Sequence, residues 1–294
     1  MRLSPPICAL LDRFQAKKPV RAWSLIVTLY GDAIVPRGGS LWLGSLIDIM
    51  GLFGIDAGHV RTAMSRLTSD GWLARARSGR NSYYRLSRRG EKTFATATRR
   101  IYFAASPCFD GRLQLALLGP GVDDRSALRP ALEKAGFMPL SPTAYVGLAD
   151  PPPVLFRREG VFLLKAETSE ANPAIAAAAW KLSPVADGYR AFVEQFMALD
   201  DMLDRGVKIE EADALVARTL LIHEFRRVVL RDPALPVTLL PGDWPGGRAR
   251  ALTARIYRSI VPAAECFLDA HARNEKGALP PPQPGFAARF VKVR

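Results

Sequence analysis

The sequence predicts an α+β fold in three parts: an N-terminal winged helix-turn-helix, a central ferredoxin-like α/β sandwich and a mainly helical C-terminal domain. Three observations predict it. Residues 55–89 place a short amphipathic helix before two strand-like runs joined by a basic, glycine-containing turn. Residues 112–165 alternate strand, helix and strands. Beyond about Asn172 the apolar positions recur at helical spacing. The expected boundaries are 1–103, with residues 1–18 as an extension, then 104–172, 173–276 and a Pro-rich tail from 277 to 294.

The N-terminal elements follow in order. Val20–Gly31 is a strongly apolar helix, and residues 40–52 form a second, with Ser40 as its expected N-cap after Gly38 and Gly39. Asp56 caps the third. There Val60, Ala63, Met64 and Leu67 make one apolar stripe, and Gly71 stops the helix. Its other face carries His59, Arg61, Thr62, Ser65, Arg66 and Ser69, which bear hydrogen-bonding or cationic groups and no acid. An ordinary solvated surface helix has the same pattern, so the following hairpin is what separates the two readings. Trp72–Arg77 and Tyr83–Leu86 are strand-like, and Ser78–Ser82 is the turn between them. Arg75, Arg77, Arg80 and Arg85 sit on that hairpin, with Asn81 at its tip and no acid among them. Helix, loop, helix, recognition helix and wing is a complete winged-helix order, and the chemistry suits groove insertion and phosphate contact. Residues 88–103 form a helix leaving the wing.

In the central part, Arg112–Leu118 is a strand, and Asp123 and Asp124 start a helix through Leu128 and Leu132 to Gly136. Phe137–Leu148 reads as strands broken at Ser141-Pro142, and Val154–Phe156 with Val161–Lys165 as a hairpin about Arg158-Glu159-Gly160. Three long helices are expected over 184–203, 210–230 and 248–272, and the tail from Gly277 as extended or disordered.

The net charge of +13 is unevenly spread. Residues 1–103 hold 17 Lys and Arg against 6 Asp and Glu, and the remainder 24 against 22. The cationic excess lies on the segment that already looks built for DNA. Cys8, Cys108 and Cys266 have neither metal spacing nor a disulfide framework, and read as reduced thiols in a cytoplasmic protein. No apolar run is long enough to cross a membrane, and the N-terminus lacks the pattern of a secretory signal.

Catalytic and metal constellations are weak. His223-Glu224 would begin a zinc-protease motif, but Arg227 stands where its second histidine belongs. Asp200, Asp201 and Asp204, then Glu210, Glu211 and Asp213, flank two helix ends and are read as solvated termini rather than an ion site. Asp110 has no partner carboxylate, and no serine-hydrolase elbow is present. No catalytic residue, metal or cofactor is expected. The alternative is a metal-dependent nuclease using the central domain.

Thr28–Leu46 (TLYGDAIVPRGGSLWLGSL), Val60–Trp72 (VRTAMSRLTSDGW) and Gly79–Gly90 (GRNSYYRLSRRG) carry a resemblance to a known family. So do Phe225–Gly246 (FRRVVLRDPALPVTLLPGDWPG) and Ala264–Leu268 (AECFL). The chain resembles the PaaX family of bacterial transcriptional regulators, which control phenylacetic acid catabolism. The likeness covers nearly the whole chain, and residues 1–18 depart from it. It implies a winged-helix domain, a central domain similar to a CRISPR-associated nuclease fold, and a helical C-terminal domain. It also implies a homodimeric repressor on double-stranded operator DNA, released by phenylacetyl-CoA or a related aryl-CoA thioester, with no membrane partner. Such an effector needs cations and an apolar or aromatic slot. Arg226, Arg227, Arg231 and Trp244 are the candidates, unless Arg226 and Arg231 pair with Asp232 or Asp243 and Trp244 is core.

Overall fold

The structure, a computed structural model, describes residues 4–17, 21–103, 109–120, 122, 125–148, 160–167 and 172–291. The expected helix start at Asp123 and Asp124, the strand at 154–156 and Cys108 lie outside these residues. The chain divides into two compact units that do not follow the linear order. One gathers Met1–Ala104, Gly188–Leu230 and Pro245–Arg294; the other gathers Ala105–Asp187 and Arg231–Trp244.

The first unit begins with α1 (Pro5–Ala16), inside the extension that carried no recognisable pattern. It buries Ile7, Leu10 and Phe14. Helix α2 (Ala22–Leu29) runs into a π-helical turn, Tyr30–Ile34, and a 3-10 turn, Val35–Arg37. Gly38 and Gly39 follow with φ of 87° and 76° and end the run. Ser40 does not cap the next helix. Its hydroxyl donates to Glu275 at 2.6 Å, and Leu41–Trp42 form a short strand, β1, before α3 (Leu43–Gly51). Helix α4 (Ala57–Ser69) precedes β2 (Leu73–Ser78), β3 (Asn81–Leu86) and α5 (Arg88–Tyr102). The three strands form one antiparallel sheet in the order β1-β3-β2, with Leu41 opposite Tyr84 and Ser78 opposite Asn81.

In the other unit, β4 (Arg112–Leu118), α6 (Arg125–Lys134), β5 (Met138–Ser141), β6 (Ala144–Gly147) and β7 (Val161–Glu167) are followed by α7 (Asn172–Ala179). The sheet order is β5-β6-β4-β7, every neighbour antiparallel. One face packs Ala116, Leu118 and Tyr145 with Leu128 and Leu132 of α6. The other packs Leu113 and Val146 with Ala176, Leu235 and Leu239.

Helix α8 (Leu182–Asp204) belongs to the first unit from Gly188 onward. Helices α9 (Glu211–Val229) and α10 (Gly246–His271) complete that unit with a small ribbon, β8 (Arg273–Asn274) and β9 (Gly277–Ala278), and a 3-10 turn at Pro284–Phe286. The tail expected to be extended or disordered is packed through Phe290, which is 1% exposed and stacks near Tyr102, Tyr257 and Phe225.

Helix α9 is buried nearly all round, from Ala212 to Phe225, because α1, α2, α5 and α10 surround it. Several polar residues here are therefore paired. Asp213, expected at a solvated terminus, is 4% exposed and accepts the Ser4 backbone N–H at 2.9 Å. Asp200 is likewise buried and takes Arg255 Nη2 at 2.5 Å. Arg218 donates Nε to Asp32 Oδ2 at 2.6 Å and Nη1 to Glu265 at 2.5 Å. The second Asp32 oxygen receives Tyr102 OH at 2.6 Å, Tyr257 OH at 2.9 Å and Arg289 Nη1 at 3.1 Å. Arg37 extends the network to Glu265 at 2.9 Å and to Asp269. Burial opposes the Asp32 charge, but Arg218, Arg289 and the two tyrosine hydroxyls outweigh it and hold the carboxyl below its ordinary range.

His223 sits edge-on to Phe14 and hydrogen-bonds Thr28 Oγ1 at 3.1 Å. Burial, then the nearby cations Arg226, Arg227 and Lys17, push its ring down to about 3. The folded state keeps His223 neutral while the unfolded chain protonates it near pH 6.5. Its contribution is thus complete above pH 6.5 and is lost as pH falls toward 3. Urea unfolding is expected to lose stability at about 1 kcal/mol per pH unit between pH 6 and 5, and His223→Gln to flatten that slope. An unchanged slope in the variant would place the proton uptake elsewhere.

Candidate nucleic-acid interface

Helix α4 is set by local chemistry at both ends. Asp56 Oδ1 accepts the backbone N–H of Gly58 at 2.8 Å and of His59 at 3.0 Å. At the other end Gly71, with φ of 73°, lets the Trp72 N–H reach back to the Leu67 carbonyl at 2.9 Å. Val60, Ala63, Met64 and Leu67 are buried, and α4 packs on α2 and α3. That leaves His59, Arg61, Thr62, Ser65 and Arg66 exposed on the opposite face. Two anchors tether this face. His59 Nδ1 lies 2.5 Å from Asp56 Oδ2, and Arg66 Nε lies 3.6 Å from Asp70 Oδ2. Both pairs are solvent-exposed, so an incoming anion displaces them at little cost. Thr62 Oγ1 donates to the Gly58 carbonyl at 3.0 Å.

The hairpin turn is tighter than the five residues expected. Only Gly79 and Arg80 lie between the strands, and Gly79 takes φ of 58°. A two-residue hairpin loop needs a positive φ at its first central position, which glycine supplies without strain. Arg75, Arg77, Arg80 and Asn81 are all exposed. Arg75 is held by Ser82 Oγ, at 3.2 Å from Nε and 2.7 Å from Nη2, 6.0 Å over the Tyr84 ring. The guanidiniums of Arg61, Arg77 and Arg80 have no hydrogen-bond or ion-pair partner among the described residues. Free guanidiniums beside a groove-sized helix are what counterion release and phosphate contact require.

The sequence reading assigned no contact role to the start of α5. Arg88, Arg89 and Lys92 are exposed there, and Arg89 Nη1 reaches the Asp70 carbonyl at 3.5 Å, beside the end of α4. The basic run Arg88-Arg89 was the available signal. What hid its place is the close approach of Gly90 to Trp72, where a Cβ would stand 2.4 Å from the Trp72 carbonyl oxygen.

The family models described as PaaX-like protein and PaaX-like protein C-terminal domain match residues 21–90 and 180–270. A relative from Escherichia coli (strain K12), transcriptional repressor PaaX, is 36% identical over 287 residues, covering 92% of this chain and 90% of its own. The chain belongs to the PaaX family. A solved structure, uncharacterized protein Rv0674 from Mycobacterium tuberculosis, aligns over 76% of this chain and 89% of that one, at 23% identity and a TM-score of 0.48.

The two segments matched by the PaaX models meet in the buried ionic network. Asp32 comes from the first, and Arg218, Tyr257 and Glu265 from the second. The other candidates drawn from the PaaX resemblance are distributed between the units. Arg226 donates Nη2 to Ser24 O at 2.8 Å and Ser24 Oγ at 2.6 Å, not to Asp232 or Asp243. Arg227 is exposed, 3.4 Å from Glu224. Arg231 and Trp244 belong to the second unit, where Trp244 packs against the Leu235 and Leu239 cluster. Among the described residues no group of three metal-ligating side chains converges, and no helix is long and apolar enough to cross a membrane.

Proposed function

We propose that this PaaX-family protein is a DNA-binding transcriptional repressor of aromatic, phenylacetate-type catabolism genes, acting in the cytoplasm as a homodimer. Its affinity for operator DNA falls when an aryl-CoA thioester such as phenylacetyl-CoA binds. The observation that carries the DNA-binding reading is the α4–hairpin surface. All nine residues assigned to it, His59, Arg61, Thr62, Ser65, Arg66, Arg75, Arg77, Arg80 and Asn81, are exposed. We read this module as a winged helix-turn-helix, with α4 in the major groove and the β2–β3 hairpin on the flanking backbone. The antiparallel order β5-β6-β4-β7 supports a ferredoxin-like reading of the second unit, to which we assign dimerisation.

The protein is not an enzyme, since the family is one of regulators. The match to a transcriptional repressor does not favour the nuclease reading. The test is an operator-binding titration with and without saturating phenylacetyl-CoA. Tight binding that weakens with the thioester is expected; unchanged affinity removes phenylacetyl-CoA as effector, and absent binding removes the repressor reading.

We take Arg80, at the hairpin tip, to contact phosphate and not bases. Arg80→Ala is expected to weaken binding about equally on operator and unrelated DNA, and to reduce the salt slope by about 1. A loss confined to the operator would contradict it.

A further inference from the structure

Helix α5 is amphipathic along its whole length. Its inner side buries Gly90, Phe94, Ile101 and Tyr102. Arg88, Lys92, Ala95 and Arg99 are exposed and share the outer face, because steps of four, three and four residues return to one side of an α-helix. Glu91 is the single acid in the helix. The guanidiniums of Arg88 and Arg99 and the ammonium of Lys92 have no hydrogen-bond or ion-pair partner among the described residues. The outer face is thus a stripe of unpaired cations about 16 Å long, at roughly 1.5 Å per residue. Local chemistry fixes this stripe to the DNA-facing helix. Ser87 Oγ caps α5 by accepting the Gly90 N–H at 3.0 Å, and donates to the Gly71 carbonyl, at the stop of α4, at 2.5 Å. The Ser87 N–H donates to the Trp72 carbonyl at 3.0 Å. These bonds and the close seat of Gly90 hold the first turn of α5 against the end of α4.

We infer that the outer face of α5 is a further track for the DNA backbone, on which Arg88, Lys92 and Arg99 neutralise phosphates flanking the bases read by α4. The inference rests on the repressor reading. One strand of a duplex carries a phosphate every 3.4 Å or so along the axis, so a stripe of about 16 Å faces about five of them. Three cations distributed along it reach a strand without the helix entering a groove, and Ala95 between Lys92 and Arg99 leaves room for the sugar-phosphate chain. Such contacts position the protein and carry no sequence information. A membrane surface does not suit this face, which offers no Trp, Phe or Leu to enter the acyl boundary. DNA suits it because the stripe continues the cationic α4–hairpin surface through a hydrogen-bonded joint. The consequence is a binding site longer than α4 and the hairpin alone require, with flanks of arbitrary sequence that still contribute affinity.

The test begins with a duplex that the full-length protein selects from a random-sequence pool. The duplex is prepared with long flanks and with flanks cut back to the bases that the selection specifies. Three proteins are compared, each shown folded by circular dichroism: the parent, the triple variant Arg88→Ala, Lys92→Ala, Arg99→Ala, and the charge-preserving variant Arg88→Lys, Arg99→Lys. On the long duplex the alanine variant is expected to lower the salt slope of affinity by about 3, one contact per cation, while the lysine variant keeps the parent slope. Cutting the flanks is expected to weaken the parent about tenfold and the alanine variant less than about twofold. A slope unchanged in the alanine variant, or an equal loss in both proteins when the flanks are cut, overturns the track on α5. A lysine variant that loses as much slope as the alanine variant overturns the phosphate role, since phosphate attraction requires only the charge. Failure of the parent to select any duplex overturns the repressor reading, and the track with it.

Discussion

Replacing Asp32 by alanine is expected to destabilise the protein by about 3–5 kcal/mol, the largest single effect expected on its stability. Asp32 is 2% exposed and receives two guanidiniums and two phenols. Removing it strands Arg218, fully buried, and Arg289, 7% exposed, without their central counter-charge. Arg218 keeps Glu265, so the loss is partial for that residue and severe for Arg289. Equilibrium urea unfolding followed by circular dichroism measures it. Because α5 ends in Tyr102 and the tail enters through Arg289, the variant is also expected to expose the tail to protease first. A loss below about 1 kcal/mol would mean that the pairing energy only balances desolvation and that packing alone joins these segments.

Arg66→Ala is expected to lower operator affinity about tenfold or more while leaving binding to unrelated DNA within about threefold, because a bidentate base contact is worth about 1–3 kcal/mol of discrimination. The geometry favours this residue over its neighbours. Arg66 is exposed on α4, and its partner, Asp70, sits 3.6 Å away at the helix end, close enough to orient the guanidinium and too exposed to hold it. Competition binding with operator and scrambled duplexes separates base reading from phosphate attraction. Equal losses on both duplexes would reassign Arg66 to the backbone.

The elements legible in the sequence were those whose signals are local. Asp56 as cap, the Val60–Leu67 stripe and Gly71 as terminator fix α4 within its own residues, and each sits where the spacing placed it. The hairpin was legible for the same reason. What was hidden depends on partners far along the chain. Leu41–Trp42 reads as the start of a helix until β3 pairs with it, Leu41 with Tyr84 and Trp42 with Tyr83. Ser40 looked like a cap because serine after two glycines usually is one; Glu275 claims its hydroxyl instead. The acids near Asp200 and Asp213 looked solvated since nothing local pairs them, yet their partners are Arg255 and the Ser4 N–H. In the tail, proline content argued for disorder, but Arg289 and Phe290 supply enough burial and charge pairing to order it. Of the candidate site, exposure and charge were readable from spacing. The seat of α5 beside α4 was not, since Ser87 reaches the Gly71 carbonyl only once the hairpin has folded between them.

The proposed hold of the α4–hairpin surface on DNA rests on its free arginines. It is tested most directly by the salt dependence of operator affinity for the parent and for a variant lacking Arg61, Arg77 and Arg80. Affinity is expected to fall steeply, by on the order of 10³-fold between 50 and 200 mM salt, and the triple replacement to reduce the slope by about 3. Salt-independent binding, or a slope unchanged in the variant, would contradict it.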